Sequence, residues 1–291
     1  MIQSILYSQG LLPFSDSTNV KNSGKISGAE LKILPDSSQS SEILIKYFRP
    51  VPFAVSASLL VSAGAYMHIK TSEKWWKVSD RFHTSAVTGS ELIFGGAGHF
   101  FSVNLTGHLF SGVYESSGMQ ALESTWYSSL SALAYSIYLE TENGFHQGKG
   151  FSKVNAAGSL LGTAFYIGQY YYPVLKKFQP RISYNSSESG KLIPDDIYGQ
   201  KLWVSVRVCE LMPGPAGKFW PDFLNAAAGI GIVRQGGKES ISTYIALDLD
   251  AEKIPLHGPF WQFVKNTLNY FHFPMPGIRV SPEAAAFIFC F

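Results

Sequence analysis

The sequence predicts an α+β protein, with an N-terminal helical membrane-associated bundle followed by a C-terminal antiparallel β region that carries one amphipathic helix. Three observations predict it. Four stretches between residues 50 and 175 hold no Asp, Glu, Lys or Arg. After Pro180 the apolar period switches from helical to two. Charged residues make up only 15% of the chain and hydrophobic ones 46%, where an average soluble domain carries about 25% charge.

Composition excludes several classes at once. So much apolar side chain offsets the entropy of ordering, so disorder over the whole length is ruled out. A net charge of +2 leaves no basic footprint for nucleic acid. Cys209 and Cys290 form at most one bridge, and no CxxC spacing suggests zinc.

Residues 1–47 are rich in Ser, Asn, Gly and Asp and read as a flexible polar leader. Their first ten residues resemble the tail of a signal peptide whose basic start lies upstream. Residues 48–181 form the helical region. Its charge-free stretches run over 50–69, 92–114, 124–139 and 154–175. A helix needs about 20 residues to cross roughly 30 Å of hydrocarbon. Three of the stretches reach that length, and the third, at 16, is marginal. Trp75 and Trp76, Trp126 and Tyr127, and Tyr170 to Tyr172 stand at stretch ends, where headgroup depth selects amphipathic rings. Gly158 and Gly162 make a GxxxG step for close helix approach. Six Lys and Arg flank one side of the four spans and five the other, so positive charge sets no orientation. The competing reading is a set of buried helices in a soluble bundle, since Ser, Gly, Thr and Ala abound in these stretches.

Residues 182–291 form the β region. Strands are predicted over 202–209, 224–233 and 241–250, and a last one places Phe287, Phe289 and Phe291 on one face. Turn signals separate them at Met212–Pro215, Gly236-Gly237 and Pro274–Gly277. Phe260, Phe263, Val264, Leu268 and Phe271 recur at helical spacing. Four or five strands are too few for a closed membrane barrel of eight or more. A small sheet packed on the helices is therefore expected.

Candidate chemistry comes from polar residues in the apolar stretches, each expensive in lipid. His108 and Glu140 are the candidate catalytic pair, a base and its orienting carboxylate. Asn104, Asn143, Ser152 and Asn155 are the candidate binding network around them, with Ser111 and Glu115 on the same helix as His108. His99 and His108, nine residues apart, do not share a helical face, so no metal is expected. Asp248 and Asp250 share a strand face that reads as solvated, and Asp195-Asp196 reads as a turn or cap. No GxGxxG, P-loop or GxSxG is present, so no cofactor is implied.

An ordered series of short motifs carries a resemblance. Gly107-His108-Leu109-Phe110 precedes Tyr114, Glu140 precedes Glu142-Asn143-Gly144-Phe145, and Gly150-Phe151-Ser152 runs through Asn155 to Gly162. Asp196 to Trp203, Phe223 to Gly231, Ala246 to Asp250 and Pro274-Met275-Pro276 continue it. Over residues 52–291 the chain resembles the YfiM-like family of uncharacterised bacterial envelope proteins. The resemblance implies an envelope location and no established activity. Three carboxylates and a lysine of the family pattern are replaced here, by Asn104-Leu105, Asn143 and Asn155. The expectation is a membrane-associated structural or accessory protein of a Gram-negative envelope, in the outer membrane rather than the inner, as the terminal Phe suggests. Its partners are then membrane lipid and another envelope protein. Two readings compete with it: a lipid- or glycan-directed hydrolase or transferase using His108 and Glu140, and a binding module using the sheet edges.

Overall fold

The computed structural model describes residues 49–75, 81–87, 89–187, 196–212, 214, 216–235 and 237–291. The predicted leader, together with Trp76 and Asp195, lies outside them.

Each charge-free stretch sits on a helix: α1 (Pro50–Trp75), α2 (Ser90–Ser116), α3 (Ala121–Gly144) and α4 (Lys153–Tyr171). Their ends follow local chemistry. Gly118 takes a left-handed φ of 93° just past α2, the conformation that ends helices without a Cβ penalty. The Ser152 side chain caps α4 by accepting from the Asn155 amide at 3.2 Å. Gly150, at φ 79°, crosses so close to Ser85 that a Cβ would stand 2.6 Å from its amide nitrogen. The GxxxG step does what its spacing predicts. A Cβ on Gly158 would lie 2.1 Å from the Gly96 carbonyl oxygen, and one on Gly162 would lie 2.6 Å from that of Phe100. Bare backbone lets α4 press against α2.

These helices bury polar side chains and turn apolar ones outward. Ser111, Ser124, Ser128, Ser129, Ser136 and Ser159 are buried, whereas Leu59, Val61, Leu130, Leu160 and Leu161 are more than half exposed. Among the described residues no helix is long and apolar enough to cross a membrane. The four predicted spans are therefore helices without being membrane-crossing ones by hydropathy. The charge-free runs had counted missing charges, which a Ser-rich inner face satisfies equally well.

The second layer is a six-stranded antiparallel meander in sequence order: β1 (Phe178–Tyr184), β2 (Gln200–Val206), β3 (Leu224–Gln235), β4 (Lys238–Leu249), β5 (Met275–Ser281) and β6 (Ala285–Cys290). The fold is thus α+β as predicted. The first strand begins inside the stretch assigned to the helical region, and β1 and β5 were not foreseen. Before β5 comes α5 (Pro259–Leu268), the predicted amphipathic helix. Helix and sheet share one apolar core, where Phe94 and Phe101 of α2 meet Leu202, Ile232 and Tyr270.

The sheet curls on itself. The free edge of β1 is taken by the segment leading into β5. Ile182 donates to the Tyr270 carbonyl and His272 donates to that of Ile182, both at 2.9 Å. Ile182 and Phe271 form a parallel bridge. Five antiparallel strands bring first and last into the same direction, so a parallel bridge is the one way this closure can be made. The roll encloses one face of the sheet. Arg181, Trp203, Gly229 and Tyr244 lie side by side there. The Trp203 indole occupies the place of a side chain at Gly229, where a Cβ would meet it at 2.3 Å.

Candidate functional site

The most concentrated polar chemistry lies where α2, α3 and α4 meet. Glu140, on the last turn of α3, is 1% exposed. Its Oε1 accepts the Ser152 amide at 2.6 Å. Its Oε2 accepts from Asn143 Nδ2 and Asn155 Nδ2, each at 3.2 Å, and lies 3.4 Å from His99 Nε2. Such a buried carboxylate is tolerable because every oxygen has donors. Three of the four residues predicted for a polar network, Asn143, Ser152 and Asn155, are brought together on this carboxylate. The fourth, Asn104, is not. It donates to the Phe100 carbonyl at 2.8 Å and the Gly162 carbonyl at 3.2 Å, tying α2 to α4.

The expected pairing of His108 with Glu140 does not form. His108 Nε2 sits 2.9 Å from Thr267 Oγ1 on α5, and its ring is stacked between Phe263 and Tyr270 at 5.1 and 5.3 Å. The reason is helical periodicity, which puts residues nine apart on opposite faces of α2. The side facing α3 and α4 carries His99, and the side facing α5 carries His108. Ser111 donates to Glu115 Oε1 at 2.8 Å and contacts Ser124 Oγ at 3.0 Å, away from both histidines.

His99 is the residue the sequence reading passed over. With Nε2 at the carboxylate, its Nδ1 stands 3.2 Å from Ser136 Oγ and 3.2 Å from Ser159 Oγ. The two hydroxyls are 2.7 Å apart, and Ser159 also donates to the Asn155 carbonyl at 3.1 Å. The carboxylate holds the proton on Nε2, which leaves the Nδ1 lone pair to accept from a serine. The detectable signal was the GlyGly-Ala-Gly run before His99, which marks a helix face pressed on its neighbours.

A second polar cluster fills the rolled sheet. Arg181 Nε lies 3.1 Å from Asp248 Oδ2, and its terminal nitrogens donate to the Leu249 carbonyl at 2.7 Å and to Asn269 Oδ1 at 3.2 Å. Arg207 pairs with Asp250 at 3.0 Å and with Glu252 at 2.7 Å. His272 stands 3.3 Å from Asp248 and stacks on Trp203 at 4.0 Å. Burial pulls the Arg181 guanidinium below its ordinary pKa, opposed by the charges of Asp248 and Asp250. Asp248 and Asp250 are thus buried ion-pair partners. The solvated face expected for them is corrected by the curl of the sheet, which turns it inward. Asp196 does act as a turn stitch, accepting from the Ser187 and Gly199 amides at 2.8 and 3.1 Å. Burial alone would raise its pKa, but these bonds, with those from the Ser187 and Tyr184 hydroxyls, hold it down at about 2.

Among the described residues no group of three or more His, Cys, Asp or Glu is placed to hold a metal ion. Both cysteines are free. No family model, curated protein or solved structure matches this chain.

Proposed function

We propose that this chain is a membrane-associated structural or accessory protein of a Gram-negative cell envelope, held at the outer membrane and akin to the YfiM-like proteins it resembles. One observation carries the reading: polarity is distributed the wrong way round for water. Among the described residues, twenty-four buried side chains are polar or charged and fourteen are apolar. Meanwhile Val55, Leu59, Val61, Tyr66 and Ile69 of α1, Leu130 of α3 and Leu160 and Leu161 of α4 face outward. Water-soluble domains bury such side chains, each worth about 1.5–3 kcal/mol on transfer out of water. Exposed apolar side chains on three helices support an interaction surface.

The sheet repeats the pattern. Val204, Ala228, Ile245, Ile278 and Ala286 align across five strands and all are exposed. At one end of the helical layer the Trp126 indole donates to the Tyr171 hydroxyl at 3.0 Å, with Tyr127 and Tyr172 exposed beside them. Aromatic rings grouped at one level fit a headgroup boundary. Lipid against these faces would satisfy them without any one helix crossing alone. A second envelope protein is the other partner this surface fits.

Fractionation on a sucrose gradient tests the proposal. The chain is expected in the outer-membrane pool and requires detergent for extraction. Recovery as a monodisperse species in detergent-free buffer overturns it.

A further inference from the structure

We propose that Ser136, His99 and Glu140 form a nucleophile–base–carboxylate relay that cleaves acyl esters. A base within hydrogen-bond reach of a nucleophile, itself oriented by a third group, is the geometric signature of covalent catalysis. Here Glu140 holds His99 Nε2 at 3.4 Å, and Nδ1 faces the Ser136 hydroxyl at 3.2 Å. The carboxylate is fixed in turn by a backbone amide and two side-chain amides. The relay thus stands on α2 and α3, and Asn155 of α4 helps to fix its carboxylate.

Two serines touch Nδ1, and their surroundings separate them. Ser159 is fully buried, whereas Ser136 is 7% exposed, and the His99 side chain between them is 25% exposed. Ser136, the serine with residual exposure beside the part-exposed imidazole, is therefore the nucleophile of the proposal. Ser159, 2.7 Å from the Ser136 oxygen, positions that hydroxyl and touches no substrate.

The step balances with water as its only co-reactant. Ser136 Oγ bonds to the ester carbonyl carbon while its proton passes to His99 Nδ1. The carbon–alkoxide bond breaks, and the alkoxide leaves with that proton as an alcohol. Water then attacks the acyl-serine and gives its proton to Nδ1. The carbon–Oγ bond breaks, Oγ recovers the proton, and the acyl group departs as a carboxylic acid.

The test uses the full chain in detergent with a fluorophosphonate probe, the modified peptide being mapped by mass spectrometry. The wild-type protein is expected to label at Ser136. Ser136→Ala is expected to abolish labelling, and His99→Gln to slow it at least about 100-fold, the usual scale of a general base. In Ser159→Ala the label is expected to stay on Ser136, at a reduced rate. Wild-type protein that melts cooperatively yet does not label overturns the proposal, as does labelling elsewhere or an unchanged rate in a folded His99→Gln. Should His99→Gln fail to fold, the site mapped in wild type and Ser159→Ala still decides. The outcome is independent of where the protein fractionates.

Discussion

The helical layer and the rolled sheet both keep polar groups inside, yet by opposite means. Between α2, α3 and α4 the polar groups are hydroxyls and amides around one carboxylate, and bare glycines bring the helices together. Inside the sheet they are full charges, Arg181 and Arg207 against Asp248, Asp250 and Glu252. Helices satisfy their own backbones, so their side chains need only short bonds to a close neighbour. A curled sheet leaves a wider interior that long arginines span. The lesson is that element spacing decides which polar chemistry an interior can hold.

That contrast can be broken first in the sheet. Arg181→Met leaves the buried carboxylate of Asp248 uncompensated, and a loss of about 3–5 kcal/mol is expected, read by denaturant unfolding. A loss below 1 kcal/mol would show that the charges are not energetically buried. Helix approach comes next. Gly158→Val puts a side chain into the Gly96 carbonyl, and about 1–3 kcal/mol of destabilisation is expected from overpacking. A smaller effect follows Glu140→Gln, which keeps the shape but replaces one accepting oxygen with an NH2 group that faces amide donors. About 1–2 kcal/mol is expected, seen as a lower melting temperature.

The smallest effect concerns acid. Asp196 has a folded pKa below its ordinary value, so the stability it contributes is present above the ordinary carboxylate range. That stability is lost as pH falls through about 2. Asp196→Asn should flatten this acid limb while leaving neutral-pH unfolding less stable than wild type. An unchanged acid limb would mean the carboxylate is not the group titrating there.

How much of this was readable beforehand varies by element. The four helices were legible because charge-free runs and aromatic ends persist over many residues. Strands β3 and β4 were legible through strict alternation, as in Ile241 to Leu249. Strand β1 was hidden by Pro180, and β5 by Pro276 and Gly277. Both work as strands because the ladder bonds they need come from other positions. Membership in the Glu140 cluster was legible for Asn143, Ser152 and Asn155, which lie close in sequence on one helix junction. His99 was not, because its partner stands 41 positions away on another helix. The solvated reading of Asp248 failed because alternation tells which residues share a face, not which way a sheet curls.

The bridge between Ile182 and Phe271 has a consequence for how the molecule is made. Arg181 and the Phe271 carbonyl it reaches are 90 residues apart. A chain emerging from its N-terminus must therefore reach Phe271 before the sheet can shut. Until then Arg181 lacks its carbonyl acceptors and the edge of the first strand stays open. Synthesis of this polypeptide thus has a late, all-or-nothing moment, and a chaperone guarding that edge would have to wait for the segment around Phe271.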